Sequence, residues 1–171
     1  MRAICKRPEP LNLKQYRGAG FTGFNTYDDH PEKPELQNAL LREQRGICCY
    51  CMSRIPGPYG MKIEHWHSQS EPEFKHEQLD YSNMLGACKG NEGQRLKDTH
   101  CDTHKGNKPL SRNLANPAHV IEALIQYLPD GRIKSAEQAV DTELNEVLNL
   151  NLGFLKNNRK STLDAFKEAL G

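Results

Sequence analysis

Two things are scarce in this 171-residue sequence: long hydrophobic runs and net charge. No apolar stretch approaches the roughly 20 residues that span a bilayer, and the N-terminal residues lack the apolar centre of a secretion signal. These absences predict a cytoplasmic protein that does not use a membrane. The formal net charge of +1 predicts no strong general affinity for nucleic acid.

The chain also lacks internal repeats and low-complexity tracts, and only 36 % of its residues are hydrophobic. That fraction predicts a modest core that a cross-link or a metal has to supplement. Composition divides the chain into three segments: a lead-in and helix (1–45), a turn-rich middle (46–115), and a hairpin with helices (116–171). We expect the three segments to form a single compact unit.

Residue periodicity predicts the elements of the first two segments. Residues 1–31 are rich in Gly, Pro and Tyr without a sustained period, which predicts an extended lead-in. The stretch Pro34 to Arg45 has a helical stripe, and Met61 to Trp66 is typical of a short strand with Ile63 facing inward. Because Gly86 to Lys108 is polar and rich in turn residues, we expect no core element there.

The third segment differs in character. Pro129-Asp130-Gly131 lies between apolar runs and predicts a hairpin, with a helix over Val120 to Leu128 as the alternative. Two helical stripes follow, one made of Val140, Leu144, Val147 and Leu148, and one of Leu155, Leu163, Phe166 and Leu170. Such stripes usually form core, although they could equally present a face to a partner protein.

Four of the six cysteines have the spacing of a metal site. Their positions are Cys48, Cys51, Cys88 and Cys101. Two thiolates three positions apart can bind one ion from a tight turn, and tetrahedral zinc takes four such ligands. Because disulfides are rare in the cytoplasm, the pattern predicts structural zinc. Cys5 and Cys49 are left as non-ligands, with Cys49 as a competitor of Cys48.

Other interpretations of the cysteines fit less well. A redox CxxC pair normally lies at a strand-to-helix junction of an α/β chain, a pattern that this sequence lacks. Scattered buried thiols would not cluster in turn-rich segments. The serious rival to an enzyme is a zinc site without catalysis, which would make the protein an adaptor for nucleic acid or protein.

The Glu64-His65 pair, at the end of the predicted strand, suggests catalysis. A carboxylate beside a histidine can bind a metal while the imidazole removes a proton from water at neutral pH. A histidine by itself is more often structural. A basic window supports a phosphate-bearing ligand, since Cys88 to Arg112 holds six basic and three acidic residues, although such clusters are often only solvated surface.

The residues "CCYC…IEHWHSQS…LDYSNMLGAC…HCDTHKGN" resemble the HNH endonucleases, which carry the ββα-metal motif. The matching elements are Cys48 with Cys51, Glu64-His65, Asn83 to Cys88, and Cys101 to Lys105. The resemblance implies an α+β fold, with a ββα-metal nuclease core and zinc knuckles over 46–115. It also implies an extended N-terminal lead-in and a mainly helical C-terminal region.

The N-terminal residues and the later "LPDGRI…LNLN" segment are similar to one subgroup of these nucleases. It comprises the HNH nucleases of bacterial antiphage systems of the Septu type, some of which accompany retrons. The resemblance implies an effector that cleaves nucleic acid, DNA above all, and that works beside an ABC/SMC-like ATPase. RNA cleavage, of tRNA for example, is the alternative within the same fold.

The resemblance also implies roles for single residues. His65 resembles the general base, Glu64 a ligand of the catalytic Mg2+ or Mn2+, and Asn83 the residue that holds the loop and the base in place. Asp102 would be the second ligand of that metal, with His104 as the alternative. The expected phosphate contacts are Lys89, Lys105, Lys108 and Arg112; for Lys105 the alternative is bracing the loop.

Three positions depart from the family pattern. Ser68 stands where a proline is usual, and Asp102 stands where His or Asn is more common. The last two cysteines are separated by twelve residues, where many relatives have two. Such an insertion costs little closure entropy, about 0.6 kcal/mol for each doubling of length, and could carry substrate or partner contacts.

Overall fold

The computed structural model describes residues 1–18, 26–31 and 33–171, and they form a mixed helical and sheet structure. The helices are α1 (Leu11–Gly18), α2 (Lys33–Gln44), α3 (Cys101–Lys105), α4 (Ile121–Leu124), α5 (Gln138–Thr142) and α6 (Gly153–Leu170). The strands are β1 (Met61–His65), β2 (Met84–Cys88), β3 (Gln126–Tyr127) and β4 (Ile133–Lys134). Within this described part, no helix is both long enough and apolar enough to cross a membrane.

Strands β1 and β2 form an antiparallel pair in which Met61 lies opposite Cys88 and His65 opposite Met84. The predicted strand is therefore confirmed, except that it ends one residue before Trp66. Ile63 is not its main inward residue: it is half-buried and borders a surface cleft, whereas Met61 is buried.

The expectation that Gly86 to Lys108 holds no core element is wrong. The end of β2 falls within this range, and its residue Ala87 is fully buried because α2 lies against the strand. The side chain of Gln44 on α2 binds the backbone of Gly86 twice, donating to its carbonyl at 2.8 Å and accepting from its N–H at 2.6 Å. A Cβ at Gly86 would lie 3.2 Å from that amide, so the glycine makes room for the contact.

The N-terminal lead-in is not simply extended, because it contains helix α1. Only Leu13 of that helix is buried, so there is no repeated apolar stripe that could predict it. Met1 and Ile4 also join the core, and the Ile4 N–H donates to the Leu114 carbonyl at 2.8 Å. Residues 19–25, which belong to the same expectation, lie outside the described part.

Helix α2 is confirmed to within a residue at each end, with Leu36 and Leu40 on its buried face. In the third segment both alternatives occur, since the short helix α4 precedes the predicted hairpin, β3–β4. The stripe that includes Val140, Leu144 and Leu148 packs into the core around α5 and the π-helical turn Glu143–Val147.

The core prediction for the last stripe is wrong beyond its first residue. Leu155 is buried, but Phe166 and Leu170 on α6 are 60 % and 73 % exposed. The later turns of this 18-residue helix extend past the core, and no described residue covers those two side chains. Periodicity therefore identified the helix but not what lies against it.

Replacing Gly90 tests how closely the loop that joins β2 to α3 is packed. Its φ is +54°, and a Cβ there would collide with the carbonyl oxygen of His100. We expect Gly90→Ala to cost the roughly 1–2 kcal/mol of a left-handed residue plus roughly 1–3 kcal/mol for overpacking, measured by urea unfolding. The control is Gly93→Ala, which has a φ of +88° and open space around it. Equal losses for the two variants would contradict the close packing of this loop.

Candidate metal centre and adjoining cleft

Four thiols from three separate parts of the chain converge on one point. The Sγ atoms of Cys48 and Cys101 lie 3.8 Å apart, those of Cys51 and Cys88 lie 3.7 Å apart, and all four lie within 4.8 Å of one another. A zinc ion with bonds of about 2.3 Å to four sulfurs in a tetrahedron requires sulfur separations of about 3.8 Å. The cluster therefore fits a single metal ion, as the cysteine spacing predicted, and thiolates are ligands that suit zinc.

The backbone around each cysteine directs its thiol towards the centre of the cluster. Cys48 and Cys51 lie in a tight turn closed by the Ile47–Arg54 bridge, and Met52 completes it with a φ of +65°. Cys88 ends β2 and Cys101 begins α3. Their sulfurs are thus supplied by a turn, a strand end and a helix start, which only the folded chain brings together.

Hydrogen bonds to sulfur complete the centre. The Cys88 N–H donates to the Cys48 Sγ at 3.3 Å, and His100 Nδ1 lies 3.1 Å from the Cys101 Sγ. Hydrogen bonding from Cys101 lowers the pKa of Cys51 to about 5. Burial raises the pKa of Cys101, so the four thiols differ in acidity and metal binding has to displace protons.

Cys49 and Cys5 lie outside the cluster. Cys49 is buried, and that burial raises the pKa of its thiol, while its N–H donates to the Gly86 carbonyl at 3.0 Å. Cys5 is exposed. The structure therefore selects Cys48 over Cys49 as the ligand.

A cleft of about 280 Å³ lies between β1 and α3. Glu64 and His65 line it from the strand, and Asp102 lines it from the helix. The chain thus brings three of the predicted catalytic residues to the same cavity, close to the thiol centre, because Asp102 directly follows the ligand Cys101.

Glu64 is a buried carboxyl, 2 % exposed. Its Oε1 accepts hydrogen bonds from the Tyr50 hydroxyl and the Lys105 ammonium, both at 2.8 Å. Burial raises the pKa of Glu64 well above its usual range, and a hydrogen bond with Asp102 adds to the effect against the opposing charge of Lys105. Glu64 is therefore held by donors on one oxygen and paired with a second carboxyl.

The pKa of Asp102 shifts in the opposite direction to that of Glu64. Burial tends to raise its pKa, but the hydrogen bond from Glu64 and the positive charge of Lys62 outweigh it, so the pKa of Asp102 is lowered. The Lys62 ammonium lies 3.0 Å from Asp102 Oδ2. Two carboxyls in contact favour a proton or a cation between them, which makes this pair suitable for a hard divalent metal.

The two ring nitrogens of His65 differ in their contacts: Nε2 has a hydrogen-bond partner, and Nδ1 has none among the described residues. Its Nε2 lies 2.9 Å from the Gln78 carbonyl oxygen, and because a carbonyl only accepts, Nε2 carries the hydrogen. Burial lowers the pKa of His65 below 6.5, so the ring is neutral at pH 7 and Nδ1 is an acceptor. The Tyr27 ring packs edge-on at 4.6 Å and limits the ring's rotation.

Asn83 holds the chain that follows His65. Its side chain accepts from the His67 N–H at 2.8 Å and donates to the His67 carbonyl at 3.0 Å. Its own carbonyl accepts from the Trp66 N–H at 2.9 Å. These bonds tie Asn83 to the segment that follows His65, and its part in a catalytic site stays a prediction.

The predicted phosphate contacts lie in different surroundings. Lys105 is only 2 % exposed and its ammonium binds Glu64, so the expectation that it contacts phosphate is wrong and bracing is the role that fits. Arg112 pairs with Glu137 at 2.9 Å. Lys89 and Lys108 are exposed.

His104 does not line the cleft. Its Nδ1 lies 2.9 Å from the Leu96 carbonyl oxygen and 3.2 Å from the Thr99 hydroxyl, which belong to the twelve-residue insertion. Asp102 is therefore the better placed of the two candidate metal ligands.

The sequence did not predict that Tyr50 and Lys62 contact the carboxyl pair. Tyr50 lies inside the cysteine turn and is fully buried, yet a tyrosine beside cysteines carries no signal of a bond to a carboxyl 14 positions away. Lys62 lies between buried Met61 and half-buried Ile63 on β1, and in the sequence it resembles an ordinary surface lysine. Both act through partners that only the tertiary structure supplies.

A larger groove of about 820 Å³ lies elsewhere, between α6 and the β3–β4 hairpin. Its walls include Tyr127, Leu163 and Phe166, and it contains neither the carboxyl pair nor His65. The larger cavity is therefore not the one that holds the candidate catalytic residues.

Comparison with known proteins adds no family assignment. No protein-family model matches the chain, and no curated protein matches it either.

The thiol centre predicts a specific dependence on metal. We expect about one zinc ion per chain by elemental analysis, and Cys51→Ser should lower both zinc content and Tm. Since binding at such sites contributes to folding, a loss of several kcal/mol corresponds to a Tm decrease of roughly 10 °C or more. Cys5→Ser, which changes an exposed thiol outside the cluster, should change neither. Equal effects of the two substitutions would contradict a metal at this centre.

Proposed function

We propose that this protein is a metal-dependent HNH endonuclease that hydrolyses phosphodiester bonds in nucleic acid, with DNA as the main substrate. The observation that carries the proposal is the cleft in which Glu64, His65 and Asp102 meet beside the four-thiol centre. An antiparallel strand pair followed by a helix supports it, because β1 supplies the Glu-His pair and α3 supplies Asp102, as the ββα-metal motif requires.

In this proposal His65 is the general base. Its Nδ1 accepts the proton of the attacking water while the Nε2–H bond to Gln78 keeps the ring in orientation. General base catalysis contributes typically 10²–10⁴-fold. Asn83 supports the same step indirectly by holding the residues just after His65.

Glu64 and Asp102 would hold Mg2+ or Mn2+. Magnesium often binds through one or two carboxylates and keeps several waters, so a pair of carboxyls fits it, and Glu64 Oε2 carries neither the Tyr50 nor the Lys105 bond. A divalent ion there would neutralise charge on the phosphate and the leaving oxygen. Lys105 and Tyr50 fix the Glu64 carboxyl, and zinc on the four thiols fixes the platform.

Substrate binding in this proposal depends on few charges. Lys89 and Lys108 are exposed near the cleft's helix, whereas Lys105 and Arg112 are paired within the protein. Contacts to phosphates by two lysines would give weak, salt-sensitive and sequence-independent binding. An enzyme with this charge distribution gains from a partner that delivers its substrate.

We further propose that the protein is the nuclease effector of an antiphage defence system and acts with an ABC/SMC-like ATPase. The exposed apolar side chains of α6, Phe166 and Leu170 among them, support a partner surface at this helix. Single exposed apolar residues are common, but these lie on one helical face and continue into the large groove.

Replacing His65 tests the chemistry. We expect His65→Ala to reduce nicking of supercoiled plasmid, in the presence of Mg2+ or Mn2+, by roughly 10²–10⁴-fold, with zinc content and Tm close to those of the parent. His76→Ala is the matched control, because His76 is an exposed histidine on the β1–β2 connection. A matched RNA panel follows if plasmid stays intact. Retained cleavage by His65→Ala would contradict the proposed base.

The partner proposal is tested on α6. We expect Phe166→Asp to abolish co-elution with the ABC/SMC-like ATPase of the proposed defence system, because a charge would be buried in the contact. Ser161→Asp adds the same charge at an exposed position of the same helix and should leave the complex intact. A complex that survives Phe166→Asp would contradict docking at this face, and absence of any complex would contradict the partnership.

A further inference from the structure

A second, mainly apolar pocket of about 360 Å³ adjoins the proposed catalytic cleft. Ser68 and Asn107 line both cavities, and the Ser68 hydroxyl donates to the Asn107 side-chain oxygen at 2.9 Å. A single hydrogen-bonded pair therefore forms the boundary between them. A ligand that extends from the cleft can reach this pocket directly.

Aromatic rings form the wall of the pocket. The rings of His67 and Phe74 are stacked, with centroids 3.9 Å apart and planes inclined by 4°. Trp66 lies against His67 at 4.1 Å and 44°. The Glu77 carboxylate, 2.6 Å from His67 Nδ1, fixes the imidazole in this stack, so the surface is preformed.

The chemistry of the walls selects the kind of group that enters. Trp66, Phe74, Pro109 and Leu110 supply apolar and aromatic surface, and Glu71 supplies a carboxylate at the rim. Among the described residues, no lysine or arginine lines the pocket, so a phosphate would meet the Glu71 carboxylate without an opposing lysine or arginine. A planar, uncharged ring matches both the shape and the polarity.

We infer that this pocket is a subsite for an unpaired nucleobase next to the phosphodiester held in the cleft. The base stacks on Phe74 or Trp66, both of which already pack against the His67 ring, while its phosphate lies across the Ser68–Asn107 boundary. A paired base inside a duplex cannot reach such a surface, so the substrate is single-stranded or has a base turned out of the stack. The position beside a scissile bond rests on the proposed nuclease function; the affinity for a base does not.

The chain offers a direct probe, because Trp66 is its only tryptophan. We expect a single-stranded DNA 10-mer to quench Trp66 fluorescence, and a fully abasic 10-mer of equal charge to leave it unchanged. Phe74→Ala should weaken binding of the normal 10-mer, followed by anisotropy, roughly 5- to 100-fold, the effect typical of losing one base–aromatic stack. Tyr59→Ala, which removes an exposed ring outside this pocket, should leave binding unchanged.

Two further variants separate stacking from folding. Phe74→Leu keeps an apolar side chain and should bind as weakly as Phe74→Ala while retaining parental Tm and zinc content. Phe74→Tyr keeps the ring and should bind as the parent does. If Phe74→Leu binds normally, or if the abasic oligomer quenches Trp66 as strongly as the normal one, the base subsite is wrong. Absence of quenching by both oligomers also overturns it.

The same variants distinguish this inference from the nuclease proposal. Binding is measured in the His65→Ala background without added divalent metal, so it does not depend on cleavage. Base-dependent quenching without cleavage by the parent protein would retain the subsite and overturn the nuclease. Equal cleavage of normal substrate and substrate abasic next to the cut would retain the nuclease and overturn the subsite.

Discussion

The convergence of four thiols within 4.8 Å is the constraint on which the rest of the structure depends. It joins the turn at Cys48 and Cys51, the end of β2 and the start of α3, which are otherwise linked by long connections. The chain is only 36 % hydrophobic, so its packed core is small relative to its loops. A metal bound to such a cluster contributes binding energy to folding, where apolar burial is limited.

This constraint also determines where the cleft lies. Cys101 begins α3, so the next residue, Asp102, is directed towards β1, and Lys105 one turn later reaches Glu64 at 2.8 Å. A buried ion pair is costly to desolvate and costly to break, and here Tyr50 adds a third group to it. The ion pair between Lys105 and Glu64 holds α3 in register with β1, the strand that carries His65. Glu64 therefore combines a structural role with its proposed catalytic role.

In the proposed function, the cleft and the aromatic pocket divide recognition of a nucleotide into two parts. The cleft is polar and holds the carboxyl pair with His65, whereas the pocket beyond Ser68 and Asn107 is mainly apolar and has no lysine or arginine among its described lining residues. Asn83 and Glu77 bind the backbone and the ring of His67 respectively. The segment between β1 and β2 therefore holds His65, the proposed general base, through Gln78 and holds the stacked rings through His67.

The sequence by itself predicted helix α2, strand β1, the β3–β4 hairpin and the four cysteines of the candidate metal site, because apolar periodicity, turn residues and cysteine spacing can be identified along the chain. Tertiary structure alone decided what depends on distant partners. Residues 86–88, at the start of a range rich in polar and turn residues, became part of the buried strand β2 because α2 covers it, and Lys105 became a brace because Glu64 lies within its reach. The later part of the stripe on α6 is exposed. The sequence could not predict this, because periodicity marks an apolar face without specifying what packs on it.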